Sequence, residues 1–155
     1  MNRMNTGSNP YLEQALAEHH DLHRNIEEIG SLLETTAARD ASTELVGQAL
    51  ARVKGLCSML RQHFAQEEEG GYLEEAIARL PSLAPQAAIL QKQHAEFIET
   101  ANKLIAAAEG ASTPAGQWQA MQEGFRMCSK KLLAHEAAEN AVLQRAYNVD
   151  LGLEP

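Results

Sequence analysis

The 155 residues predict an all-α fold, an up-down-up-down antiparallel four-helix bundle. Three observations predict it. Ala, Leu, Glu and Gln dominate while aromatic residues make up only 5%, so few side chains suited to tiling a sheet are present. Apolar residues recur in alternating steps of three and four along four long stretches, the spacing of a helix with one buried face. The links between these stretches are short and rich in Pro, Gly, Ser and Asp, which favours antiparallel packing of consecutive helices.

Each element has its own start and stop signals. The first helix begins after Asn9 with Pro10 in the first turn, where a missing N–H costs nothing, and runs to about Ala38. RDAST then turns the chain, with Asp40 or Ser42 as N-cap candidates for a second helix from about Thr43 to Glu69. Gly70-Gly71 stops it, and a short helical segment at about Tyr72 to Arg79 follows. Pro81 and Pro85 bracket the start of the third long helix, which runs to about Glu109. Thr113 as N-cap and Pro114 as first residue open the fourth, which reaches about Tyr147. Residues 1–9 read as a disordered leader, 10–147 as the bundle and 148–155 as an irregular tail.

The bulk numbers exclude several function classes. Length and 45% apolar content suit one domain with one core. A net charge of −8 and a pI near 5.2 disfavour a nucleic-acid partner, because an acidic surface repels phosphate backbones. No apolar run approaches the roughly 18–20 residues that span a bilayer. The polar start MNRMNTGSNP lacks the apolar core of an export signal, so no membrane association and a cytoplasmic location are expected. Cys57 and Cys128 form no CxxC and read as reduced, buried thiols. Neither a nucleophilic triad, a phosphate-binding Gly loop nor a dinucleotide fingerprint is present.

The seams hold an anomaly. The first reads Leu12, Leu16, His19, His23, Ile26, Gly30, Leu33; the second Ala49, Val53, Leu56, Leu60, His63, Glu67. The third reads Ala87, Leu90, His94, Phe97, Ala101, Leu104; the fourth Met121, Phe125, Cys128, Leu132, His135, Glu139, Val142. Every seam carries a histidine and two carry a glutamate, a residue that is almost never fully buried without a partner. His63 with Glu67, and His135 with Glu139, are four residues apart, which stacks imidazole and carboxylate on one helix face. In an up-down bundle His19, His63, His94 and His135 lie roughly 9–18 Å from one shared end, near a common level. A cation at that level resolves the cost of burying both carboxylates at once. Imidazole with carboxylate suits iron, manganese or zinc rather than calcium, and six seam ligands suggest two metals.

HFAQEE at 63–68, QHAEF at 93–97, HEAAEN at 135–140 and EHHDLHRNI at 18–26 resemble, in order and helix placement, the ligand segments of the hemerythrin-like (HHE cation-binding) family. The resemblance covers nearly the whole chain after the leader. It implies a bundle holding two non-haem irons per chain with an oxo- or hydroxo-bridge. His19, His63, His94 and His135 then look like nitrogen ligands, and Glu67 and Glu139 like bridging carboxylates. The family's oxygen carriers have a further histidine one turn before the place of His94, where this chain has Leu90. His23, one turn beyond His19, is the preferred substitute; one of Glu68, Glu69, Glu74 and Glu75, otherwise a solvated acidic patch, is another, while His20 reads as peripheral. The implied partner is a small diatomic or peroxide ligand at iron: dioxygen, nitric oxide or peroxide, with iron buffering as a further role. A metal-binding protein is expected rather than a dedicated enzyme, with oxidase or peroxide-handling chemistry as a side activity.

Two other readings of the same residues stand beside this one. A helical bundle with structural zinc uses the same ligand types. A bundle with no metal, acting as an interaction module, fits the acidic, Ala-rich composition.

Overall fold

A computed structural model describes residues 10–69 and 71–147. Its helices are α1 (Pro10–Glu34), α2 (Thr43–Glu68), α3 (Tyr72–Arg79), α4 (Ala84–Gly110) and α5 (Pro114–Tyr147), with single 3-10 turns at Ala38–Asp40 and Pro81–Leu83. The expected leader 1–9, the tail 148–155 and Gly70 lie outside the described residues.

The four long helices pack in the ring α1–α2–α4–α5–α1, each against its neighbours in sequence, as an up-down-up-down bundle requires. Local signals set the starts. The Ser42 hydroxyl accepts from the Leu45 N–H at 3.0 Å, so Ser42 rather than Asp40 caps α2. Thr113 Oγ1 accepts from Gly116 N at 3.0 Å and caps α5, with Pro114 in its first turn.

The end of α1 departs from expectation. The helix stops at Glu34, four residues before Ala38. Trp118 Nε1 donates to the Thr36 carbonyl at 2.9 Å, and Gln122 Nε2 donates to the Leu33 carbonyl at 2.8 Å. Side chains of α5 thus satisfy the carbonyls that the terminating helix leaves free, a tertiary stop that no local sequence signal carries.

The seams of α2, α4 and α5 are buried at every expected position. The seam of α1 differs: its buried stripe is Leu12, Ala15, His19, Leu22, Ile26, Ile29, Leu33, while Leu16 is 37% exposed. Both stripes alternate steps of three and four through the same Leu12, His19, Ile26 and Leu33. The interior takes the one that also buries Leu22 and Ile29, which is the larger apolar gain.

Two apolar clusters fill the bundle. The larger includes Leu22, Leu60, Phe64, Phe97 and Leu132; the smaller includes Leu12, Ala15, Tyr72, Leu73, Leu90 and Val142. On α1, α4 and α5 the seam histidine falls between a residue of one cluster and a residue of the other; on α2 His63 lies beside Leu60 and Phe64 of the larger cluster and meets the smaller one through Tyr72 of α3. The histidines form a polar layer between the two apolar clusters. Short α3 lies across this end of the bundle against α1, α2 and α5. It starts at Gly71, whose missing side chain is required because a Cβ there would collide with the Gln66 carbonyl of α2. Among the described residues no helix is long and apolar enough to cross a membrane.

Candidate metal centre

The polar layer brings six of the expected side chains together: His19 from α1, His63 and Glu67 from α2, His94 from α4, and His135 and Glu139 from α5. All six are buried, and Glu67 and Glu139 are 1% and 0% exposed. They form two overlapping groups, His19–His63–Glu67–Glu139 and Glu67–His94–His135–Glu139, each with its ligand atoms within 4.8 Å of one another. Both glutamates belong to both groups.

The two oxygens of each carboxylate are divided between the groups. Glu67 Oε1 lies 2.5 Å from His63 Nε2, and its Oε2 lies 2.9 Å from His94 Nε2. Glu139 Oε2 lies 2.8 Å from His19 Nε2, and its Oε1 lies 2.5 Å from His135 Nε2. The in-helix pairs follow from the four-residue spacing; the other two cross the bundle.

The outer edge of every imidazole is fixed. His19 Nδ1 meets Asn140 Oδ1 at 2.6 Å, His63 Nδ1 meets Glu18 Oε2 at 2.7 Å, and His135 Nδ1 meets Gln93 Oε1 at 2.7 Å. His94 Nδ1 meets Glu68 Oε1 at 3.3 Å. Each Nδ1–H donates outward to an oxygen, which turns Nε2 inward, the arrangement that orients a metal-binding histidine. Phe64 stacks on His94 with ring centroids 4.0 Å apart, and Phe97 meets His135 edge-on at 5.0 Å, walling the layer on its apolar side.

The inner atoms show whether a cation fits. Glu67 Oε2, Glu139 Oε1, His94 Nε2 and His135 Nε2 are buried without a hydrogen-bond partner, despite their close approach. They crowd a shared point without the alignment of hydrogen bonds to one another. Orphaned buried polar atoms of this kind are costly, and a cation at the shared point satisfies all four. The donor set fits a pair of divalent or trivalent transition-metal ions sharing two carboxylates.

Without metal, protons hold the charges together. Burial disfavours the charged form of His63, but Glu139, Glu18 and Glu67 outweigh it and push its pKa up to about 11. His94, opposed by burial but facing Glu139 and Glu67, rises to about 9. His19 is raised against burial by Glu139. Burial works against the Glu139 carboxylate, yet the imidazoles of His135, His19, His63 and His94 around it hold it well below the ordinary carboxyl range.

His23 is not brought into the cluster. It is 51% exposed, with Nε2 on Glu27 at 2.9 Å and Nδ1 3.9 Å from Glu136. The register of α1 that buries Leu22 turns His23 toward the rim. His20 is exposed, and Glu68 supports His94 from outside.

Several residues at the site carry no sequence signal that singles them out. Tyr72 enters from α3, and its hydroxyl lies 2.9 Å from His19 Nε2, 3.0 Å from His63 Nε2 and 3.0 Å from Glu139 Oε2, with a shorter contact to Glu67 Oε1. Burial, together with Glu139 and Glu67, raises its phenol pKa. Glu136 is buried beside the layer, its Oε1 is without a hydrogen-bond partner, and burial raises its carboxyl pKa. The rarity of aromatic residues and the Gly71 turn were the available pointers to Tyr72; nothing local marks Glu136, Gln93 or Asn140.

Comparison with curated proteins and with solved structures returns no significant match. The hemerythrin HHE cation binding domain matches residues 11–147, a span that holds all five helices but for Pro10 and the whole His/Glu layer. The chain therefore belongs to the hemerythrin HHE cation-binding domain family, with two overlapping buried His/Glu groups suited to a binuclear metal site.

Proposed function

We propose that the chain binds two non-haem irons and that the centre serves a small diatomic or peroxide ligand rather than a larger substrate. The observation that carries this reading is the division of each buried carboxylate, one oxygen to each histidine pair, which is what a bridge between two cations needs. Bound iron supplies Lewis-acid and one-electron redox chemistry at such a site. The chain's own residues do the rest. His19, His63, His94 and His135 present Nε2 inward. Glu67 and Glu139 set the separation of the two positions and balance their charge. Phe64 and Phe97 pack against the imidazoles of His94 and His135 and fix their faces.

A cavity of about 540 Å³ between α4 and α5 reaches His135 past Leu90, Phe97 and Val142. Leu90 is the residue one helical turn before His94 and carries no donor atom, so the pair His94–His135 has room beside it on an apolar wall.

Elemental analysis of the anaerobically iron-reconstituted chain, with optical spectra before and after exposure to air, tests the reading. About two irons per chain with an air-sensitive spectrum is expected. A single tightly bound zinc identifies a structural site instead, and no bound metal identifies a plain helical scaffold.

A further inference from the structure

We infer that Tyr72 is a metal ligand, binding through its phenolate oxygen the cation held by His19 and His63, so that the two metal positions are chemically unequal. The inference deepens the proposed function and rests on it.

The hydroxyl of Tyr72 touches every residue of one group and only that group's inner atoms: His19 Nε2 at 2.9 Å, His63 Nε2 at 3.0 Å, Glu139 Oε2 at 3.0 Å, and Glu67 Oε1. A phenol has one proton to donate. The outward bonds occupy both Nδ1 edges, so each Nε2 faces the Tyr72 oxygen either as a lone pair or through a proton of its own, beside two carboxylate oxygens that accept. A cation bound by all five atoms takes the place of every proton among them: the phenol proton and any proton on either Nε2 pass to solvent as the bonds to the metal form, and no electron is transferred.

The element that carries Tyr72 is built to place it. Gly71 is pressed against the end of α2 where any side chain would collide with backbone, and the eight-residue helix that follows buries Tyr72, Leu73 and Ala76 on one face. Tyr72 itself is 4% exposed and sits edge-on to His19, ring centroids 5.7 Å apart. On the His94–His135 side the corresponding flank is Leu90 and Phe97, neither with a donor atom. The His19–His63 position thus gains a fifth protein ligand, while the His94–His135 position keeps the four of its group and opens toward the cavity. An exogenous anion binds there and not at the tyrosine-filled position.

The test is visible absorption and resonance Raman spectroscopy of the full-length chain loaded with ferric iron. A phenolate-to-iron charge-transfer band that enhances tyrosine ring vibrations is expected. Those vibrations shift when ring-deuterated tyrosine is incorporated. Tyr72→Phe loses the band while remaining helical and retaining iron. Because the chain has three tyrosines, the double variant Tyr11→Phe/Tyr147→Phe assigns the band without altering Tyr72, and it keeps full intensity. Two irons in the parent with no such band, or a band that survives in Tyr72→Phe or vanishes in the double variant, overturns the inference while leaving the di-iron reading intact. A parent that binds no iron overturns both.

Discussion

Glu18 on α1 reaches across to α2 and accepts the Nδ1 proton of His63 at 2.7 Å, on the edge of the ring opposite the one that faces Glu67. Glu18 is itself held in place by Gln14 Nε2 at 3.1 Å, and its carboxyl stays below the ordinary range because His63 and Gln14 outweigh the effect of burial. Removing this support frees the imidazole to rotate and lowers its basicity toward a metal. Glu18→Ala should weaken metal binding about 10–100-fold. Helix content should stay unchanged, because Glu18 is partly exposed and Ala favours helix. Competition against a chromophoric chelator reads the affinity, and a parent-like value shows that His63 is oriented without Glu18.

Glu67→Ala and Glu139→Ala should each reduce metal at both positions, since each carboxylate gives one oxygen to either histidine pair. Iron per chain should fall well below that of the parent in both variants, with the circular dichroism of a helical protein preserved. A variant retaining one tight iron would show that its glutamate serves a single position.

Proton and metal compete for the same nitrogens. In the metal-free protein His63 at about 11 and His94 at about 9 lie above the ordinary 6.5, so their contribution to stability is fully present below pH 6.5. It is lost as pH rises through about 9 for His94 and then about 11 for His63. Glu139, held well below 4.5, acts in the other sense: its contribution is present above that pH and is lost on acidification. The apo protein should therefore melt highest between about pH 4.5 and 6.5 and weaken in alkali. Metal uptake should release protons, and apparent affinity should rise about tenfold per pH unit for each proton displaced. Calorimetry in buffers of different ionisation enthalpy counts those protons, and a count of zero contradicts this account.

Gly71→Ala places a Cβ against the backbone of Gln66, where relief requires the chain itself to move. A loss of about 1–3 kcal/mol is expected, the usual cost of forcing an extra methyl into a packed place. Because Tyr72 is the next residue, the variant should also disturb the His19–His63 position more than the His94–His135 position. Denaturant titration measures the first effect and ferric absorption the second; unchanged spectra would show that α3 tolerates the shift.

Leu90→His adds an imidazole one turn before His94, beside the cavity that reaches His135. Azide binding to the ferric protein, followed optically, should weaken at least tenfold, about 1.4 kcal/mol in binding free energy. Equal azide affinity in parent and variant would place the open position elsewhere.

The sequence reveals the layer because helix depth and seam position are one-dimensional quantities. A heptad-like count finds His63, Glu67, His94, His135 and Glu139 on buried faces, and the rise per residue brings His19, His63, His94 and His135 to one level. On α1 the same count admits two stripes sharing Leu12, His19, Ile26 and Leu33, and only the neighbouring helices decide that Leu22 rather than His23 faces inward. The stop of α1 at Glu34 is likewise set from outside, by Trp118 and Gln122 on another helix. Tyr72 lies at the start of an eight-residue helix whose direction depends on how the chain leaves α2, so nothing in its spacing relates it to His19. Glu136 neighbours His135 in sequence and reads as a surface acid until α1 covers it.

The outer supports of the four imidazoles run once around the bundle. Glu18 of α1 holds His63 of α2, Glu68 of α2 holds His94 of α4, Gln93 of α4 holds His135 of α5, and Asn140 of α5 holds His19 of α1. Every long helix gives one such support and receives one. Undocking any single helix therefore breaks two of the four at once, and no hairpin of neighbouring helices contains more than one. With one helix detached, two of the four imidazoles lose the bond that orients them, and the two His/Glu groups cannot both be complete. The loop of supports ties the orientation of every imidazole to the docking of all four long helices.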